Sequence, residues 1–111
     1  MGRYVLVGYS NAVEGREDEY NDWYWNHHFK DILALPGVTS GRRFTPANAQ
    51  LGDLTPSFKY LGMFEVECEH PQDFFRDLGE RVASGTMSRS TSVAEGSSLV
   101  LWQLMTEGAA A

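Results

Sequence analysis

The run EDEYNDWYWNHHFKDILAL, residues 17–35, followed at once by Pro36-Gly37, is the feature that most limits how this chain can fold. Placed at ~100° per residue, Tyr20, Trp23, Tyr24, His27, Asp31 and Leu35 share one sector, with His28 and Ile32 at its edge. Trp25, Phe29 and Leu33 point elsewhere. The spacing predicts an amphipathic helix over residues 17–35, which Pro36-Gly37 ends. Glu14, Glu17, Asp18 and Glu19 gather at its start, where negative charge suits the helix dipole. A purely structural helix would fill its front with aliphatic side chains. This one sets an imidazole and a carboxylate beside phenols and an indole. Burying such groups unpaired costs several kcal/mol each, so they either face a cavity or satisfy one another.

The other elements fall around that helix. Residues 4–10, YVLVGYS, read as a strand from their Val, Leu and Tyr content, and residues 11–15 as a turn. Residues 38–45 read as a second strand, with Arg42 and Arg43 on opposite faces because side chains alternate. Residues 46–57, PANAQLGDLTPS, carry turn residues and no periodicity; a loop of that length suits a lid or binding loop. Residues 58–68, FKYLGMFEVEC, read as a third strand that is substantially apolar on both faces. His70-Pro71 opens a second helix, with Phe74, Phe75, Leu78 and Val82 as its apolar stripe. Residues 85–98 are polar and expected to be mobile. Residues 99–105, LVLWQLM, read as a last strand, again apolar on both faces, and residues 108–111 as a disordered end.

The order β-α-β-β-α-β predicts an α+β, ferredoxin-like domain spanning the whole chain, with a four-stranded antiparallel sheet and both helices on one face. One sheet face would be bare, yet two strands are apolar on both sides. A bare apolar face of that size is a liability in a monomer, so the expected remedy is a homodimer packed sheet to sheet.

Composition narrows the partners. The chain has 111 residues, enough for one core and too few for two. Its 15 acidic and 9 basic residues leave a net charge of −6, which speaks against nucleic acid as a partner. No apolar run is long enough to span a membrane, and the alternating N-terminus reads as a strand and not a signal peptide. The single cysteine, Cys68, has no internal partner, which fits a reducing cytoplasm.

For chemistry, the histidine pair stands first. Neighbours on a helix point ~100° apart, so His27 and His28 do not both face one small ligand. Helical geometry favours His27, nearer the centre of the aromatic face, and a modest rotation would bring in His28. Asp31 is positioned to accept a hydrogen bond from either ring and to fix its tautomer, as behind a general base. Tyr24 could donate to a substrate carbonyl. The alternative is a histidine that only hydrogen-bonds Asp31 at the core edge. A metal site would need more convergent ligands, so no metal or other cofactor is expected. Tyr20, Trp23, Tyr60 and Phe64 suit the walls of a pocket for a flat apolar ligand, or plain core. Arg43 suits either a clamp on a substrate carboxylate or enolate, or a structural pair with Glu65. Trp102 suits a pocket wall or a dimer face. His70 reads as a cap or surface residue. Cys68, beside acids, should have a raised pKa and make a poor nucleophile.

The run from Trp23 through His28 to Leu33, then Pro36-Gly37-Val38 and Arg43-Phe44, then Tyr60-Leu61-x-Met63-Phe64-Glu65-Val66, resembles the dimeric α/β-barrel superfamily, and within it the EthD-like group. That group has a W-x4-H helix, then P-G-V, then a strand with R-F. The resemblance covers most of the chain, from Tyr4 to Leu104. It implies a cavity between helices and sheet, small and often aromatic or polyketide-like ligands, and His28 as the helix histidine. At position 27 it implies an acidic residue, where this chain has His27. It implies no single reaction, because the superfamily spans cyclases, isomerases, dehydratases, cofactor-free monooxygenases and haem-degrading enzymes. Two expectations follow. One is a cofactor-independent enzyme of cyclase, isomerase or dehydratase/lyase type, acting on an aromatic or polyketide-like carbonyl compound by histidine-mediated proton transfer, with cofactor-free oxygenation chemically adjacent. The other is a non-catalytic small-molecule or haem-binding accessory protein using the same pocket.

Overall fold

The computed structural model describes residues 1–111. The elements are β1 (Gly2–Ser10), α1 (Glu17–Trp23), a π-helical turn (Tyr24–His28), α2 (Phe29–Leu33), β2 (Val38–Phe44), β3 (Tyr60–Cys68), α3 (Pro71–Ala83) and β4 (Ser98–Gln103). The four strands form one antiparallel sheet in the order β2-β3-β1-β4. This is the expected ferredoxin-like arrangement. Strand ends differ from the expected ones by a few residues.

One difference is more than a matter of ends. The helix expected to run unbroken over residues 17–35 is interrupted by the π turn and finishes at Leu33. Within that turn the Phe29 N–H reaches back five residues to the Tyr24 carbonyl. Past the turn, Pro36-Gly37 ends the helix as expected. Gly37 has φ +96°, and a Cβ there would lie 2.8 Å from the Glu67 carbonyl oxygen, so glycine is required. The Gly37 carbonyl then accepts the Glu67 N–H at 2.8 Å, tying the corner to β3.

Alternation along the strands sorts the two faces of the sheet. Leu6 lies beside Phe64 on one side and Leu101 on the other, and Tyr4 beside Val66; these side chains point toward the helices. Ile32 from α2, Leu35 from the corner that follows it and Phe74 from α3 close over Leu6, Phe64 and Val66 to make the core. Both helices therefore cover one face. The other row holds Val5, Val7, Leu61, Met63, Val100 and Trp102, with no element above it. Trp102 is 56 % exposed there and Phe44 44 %.

The segment of residues 85–98, expected to be mobile, is instead tied down as a strap. Met87 sits in the core and Ser92 is fully buried. Ala12 and Val93 form an antiparallel bridge, flanked by Val13 N–H to Ser92 O at 2.7 Å and Ala94 N–H to Asn11 O at 2.9 Å. Arg16 donates to the Thr91 carbonyl and hydroxyl at 3.0 and 2.9 Å. Polar side chains here are anchors, which is why polarity misled the sequence reading. No helix is long and apolar enough to cross a membrane.

The helix α3 is held by one buried side chain, Phe74, with Leu78 and Val82 packed beside it. Phe74→Ala should lower unfolding free energy by ~3–5 kcal/mol, whereas Phe75→Ala, at a half-exposed neighbour, should cost far less; urea unfolding of the two variants measures the contrast.

Candidate functional site

The site begins with glycines. Gly8 on β1 pairs directly with Gly62 on β3, and Arg43 on β2 pairs with Gly62 from the other side. The missing side chains leave a depression on the helix face of the sheet. Tyr24 fills part of it: a Cβ on Gly62 would lie 2.1 Å from the Tyr24 hydroxyl oxygen. Tyr20 lies deeper, fully buried, its hydroxyl in a short hydrogen bond with Ser10 on β1.

The π turn sets what else reaches this depression. In an α-helix, residues five apart are offset by ~140° around the axis. Here Trp23 and His28, five apart, stack with ring centroids 4.9 Å apart and planes 23° from parallel. The Tyr24 ring meets His28 edge-on, also at 4.9 Å. The rotation brings His28 onto the aromatic face and sends His27 out to solvent. Helical geometry without the turn had favoured His27; the position implied by the family resemblance is the one at the cavity. π turns recur at functional sites because they re-aim side chains in this way.

The resulting cavity of about 270 Å³ is lined by Tyr20, Trp23, Tyr24 and His28 from the helix, Gly8, Ser10 and Phe64 from the sheet, and Val93, Ser97 and Leu99 from the strap and β4. It lies near the lower end of the ~300–1,000 Å³ typical of ligand pockets. Tyr20, Trp23, Tyr24, His28 and Phe64 are thus brought together as the sequence suggested. Gly8, Ser10, Val93 and Ser97 were missed. Gly8 and Ser10 were read only as strand residues, and the strap carries no motif that sequence alone could pick out.

Besides His27, three expected residues are elsewhere. The Asp31 carboxylate accepts the Ser88 N–H at 3.0 Å and hydrogen-bonds to neither imidazole. It helps pin the strap, which Trp23 also holds through its indole N–H to the Ser88 hydroxyl at 3.1 Å. Arg43 does not pair with Glu65: the Arg43 side chain lies on the helix face, and Glu65 receives the Ser40 hydroxyl at 3.1 Å. Arg43 stands behind the cavity wall, its guanidinium carbon 4.0 Å from the Tyr24 ring centroid and one N–H on Asn21 Oδ1 at 3.0 Å. Tyr60 lies there too, accepting an N–H from Asn21 at 3.1 Å. Nor does the long loop of residues 46–57 cover the cavity. Its ends border a wider hollow of about 610 Å³ with Tyr9, Phe44, Phe58 and Leu61, beside the open sheet face. The larger space carries no group suited to proton transfer apart from the Tyr60 and Tyr9 phenols and Lys59, so the chemistry points to the smaller one.

Electrostatics single out two side chains. Burial pushes the His28 pKa down from 6.5 to about 4; Asp31 opposes the shift and Arg43 reinforces it. The ring is therefore neutral at neutral pH. Its nitrogens make no hydrogen bond to the protein and are open to solvent in the cavity. Burial, followed by the neighbouring Tyr20, pushes the Tyr24 phenol up to about 12, with Arg43 opposing. Its hydroxyl is protonated and likewise makes no hydrogen bond to the protein. Burial also raises Tyr20, while Ser10 and Arg43 offset part of the effect. At the far end of the sheet burial, then Asp73, pushes the Cys68 thiol up, as the sequence suggested. No three His, Cys, Asp or Glu side chains converge as a metal site.

Neither a protein-family model nor a curated protein matches the sequence. Solved structures do match the fold. It is similar to that of a candidate monooxygenase from Shewanella loihica PV-4, with TM-score 0.62 and 16 % identity over 96 % of this chain and 97 % of that one. It is similar to an EthD-like protein from Ralstonia eutropha JMP134, with TM-score 0.62 and 14 % identity over 97 % and 96 %. It is similar to the haem degrader MhuD from Mycobacterium tuberculosis, solved with two haems in its active site, with TM-score 0.61 and 16 % identity over 96 % and 99 %. The chain has the fold these proteins share. The resemblance read from Trp23, His28, the Pro36-Gly37-Val38 corner and Arg43-Phe44 thus extends to the tertiary level.

His28 also links the site to stability. The folded state resists protonating this ring, whereas the unfolded chain takes up a proton near pH 6.5. Its contribution is therefore complete above pH 6.5 and drains away as pH falls toward about 4, by up to ~3 kcal/mol. Chemical denaturation across that interval should show the loss, and His28→Phe should flatten the profile; equal slopes for both proteins would contradict the burial of a neutral ring.

Proposed function

We propose that the protein is a cofactor-independent acid–base enzyme acting on a small, flat aromatic or polyketide-like carbonyl compound, with His28 as base and Tyr24 as proton donor. The observation that carries this reading is the pairing of an unpartnered neutral imidazole and an unpartnered phenol on one apolar cavity. Both groups are left to solvent in the open cavity, and a ligand offering an acidic proton and a carbonyl oxygen satisfies both. The ligand stacks against Trp23, Tyr20 and Phe64. His28 takes a proton from the carbon beside the carbonyl, and Tyr24 hydrogen-bonds the oxygen on which negative charge develops. The enol so formed leads to cyclisation, isomerisation or elimination according to the substrate. Asp31 stabilises the imidazolium by its charge at a distance, without the direct hydrogen bond expected from the sequence. The same deprotonation would open a cofactor-free oxygenation, a reading favoured only by the likeness to a candidate monooxygenase.

A haem-binding role draws support from the neutral His28 ring, which is in the state that ligates iron. The cavity itself fits a porphyrin poorly: it is smaller than the macrocycle, and no cation lines it to meet the propionates.

NMR titration of the His28 ring with aromatic carbonyl compounds tests the site directly. The resonance should move on binding, and His28→Ala should lower turnover by ~10²–10⁴-fold with the fold intact. Because the ring's free pKa is about 4, kcat/KM should be level above pH 5 and fall below it. An equally active His28→Ala would overturn the role of His28 as base, and a Soret band on addition of haem, without carbonyl turnover, would favour the binding reading.

We further infer that two copies pack through the open sheet face. Its support is the outward row of Val5, Leu61, Met63, Val100 and Trp102 around the buried Val7, with Val100 and Trp102 exposed in the single chain. Light scattering at micromolar concentration should give twice the chain mass, and Trp102→Glu should shift it to the monomer; a monomeric parent protein would overturn the inference.

A further inference from the structure

Arg43 has surroundings that packing alone does not explain. The chain carries 15 acidic residues, yet its ion pairs use Arg3, Arg16 and Arg76, and no carboxylate approaches the half-buried Arg43. Arg43 keeps some contact with water through a hollow it shares with Asn21, Phe44, Thr45 and Tyr60, but it has no counter-charge. What surrounds it is aromatic: the guanidinium carbon lies 4.0 Å from the ring centroid of Tyr24, 5.6 Å from Tyr60 and 5.9 Å from Tyr20. Ring faces attract a cation, but less than a carboxylate would. The guanidinium is also aimed. Asn21 accepts one N–H through Oδ1, and its own amide donates to the Tyr60 hydroxyl and the Glu17 carbonyl at 3.1 and 2.9 Å.

The placement relative to the cavity is the second observation. Tyr24 lines the cavity and Arg43 does not. The tyrosine ring therefore separates the cation from a ligand in this cavity, and the hydroxyl is seated over Gly62, in space that a side chain there would take. We propose that Arg43 is a positioning residue that works through Tyr24: from behind the cavity wall it fixes the ring and supplies the positive charge that makes the phenol a proton donor. This rests on the reading of Tyr24 as donor and replaces a direct substrate clamp by Arg43.

The proton accounting is simple. His28 takes the C–H proton and becomes imidazolium, while the Tyr24 O–H bond breaks as an O–H bond forms on the former carbonyl oxygen. The phenolate left behind faces Arg43, and net charge is unchanged. The groups that bear on Tyr24 are Tyr20 from α1, Arg43 from β2 and the adjoining His28, with Asp31 acting on His28 from α2. Against burial, which raises Tyr24, Arg43 works downward; on His28 it adds to the depression by burial. One cation thus favours the base form of His28 and eases ionisation of Tyr24.

The test needs no substrate, so it is independent of whether turnover is ever found. Tyr24 is replaced by 3,5-difluorotyrosine, whose ionisation is readable by absorbance in mild alkali, in the parent full-length chain and in Arg43→Met and Arg43→Lys backgrounds. The His28 ring is followed by NMR in the same proteins. Arg43→Met should raise the phenol's ionisation by ~1 pH unit and move His28 upward as well; Arg43→Lys, keeping the charge, should stay near the parent. If Arg43→Met does not fold, Arg43→Gln provides the neutral comparison. Unchanged titration of both groups in the neutral variant, or equal shifts in the neutral and Lys variants, would overturn the proposal and leave Arg43 a packing residue.

Discussion

The contact on which this site depends is the seating of the Tyr24 ring on the backbone of Gly62. A Cβ at residue 62 would lie 2.1 Å from the phenol oxygen, so sheet and helix approach this closely because that strand residue has no side chain. Gly8 beside it keeps the adjoining space empty. From that contact the rest follows. The helix is held close enough for Tyr20 to reach Ser10, Trp23 and His28 project over the vacant strip, and Arg43 is trapped on the far side of the ring.

A site made in this way leaves polar groups free for a ligand. Two polar side chains face the cavity without partners inside the protein, open to solvent, and a cation sits among phenols without a carboxylate. Perturbed ionisable groups of this kind cluster where proteins meet ligands. The surrounding segment is held at the rim. The strap gives Met87 to the core, and its backbone and hydroxyl groups are held by Arg16, Trp23 and Asp31. Asp31 illustrates the division of labour: its carboxylate pins the strap at Ser88, and acts on His28 only through its field.

The architecture was legible in the sequence because it rests on periodicity. Alternating strands, the amphipathic run of residues 17–35, Pro71 at a helix start and the Pro36-Gly37 corner each state their own structure locally. So does the two-sided apolarity of the strands, which marks a sheet face left open by the single chain. The aromatic wall was legible for the same reason: Tyr20, Trp23 and Tyr24 are placed by helical spacing, and Phe64 by strand alternation. The strap was not. Its residues are small and polar, and they become ordered through single contacts to groups dozens of positions away, such as Arg16 with Thr91 and Asp31 with Ser88. Nothing local distinguishes such a segment from a mobile loop.

By itself, then, the sequence determined the number and order of the elements, the sheet they form and the aromatic character of one helix face, since hydrophobic period and turn chemistry are properties of neighbouring residues. Tertiary structure decided which histidine faces the cavity, where Arg43 points and what closes the site. The run YWNHH contains no Pro or Gly to announce a π turn. The extra residue in that turn is accommodated by contacts with other elements, Tyr24 on Gly62 and Trp23 on Ser88, and a rotation of that size is enough to exchange His27 for His28. Register along a strand and rotation about a helix are small adjustments in backbone terms, but the chemistry of a site turns on them, and they are set by packing between segments distant in the chain.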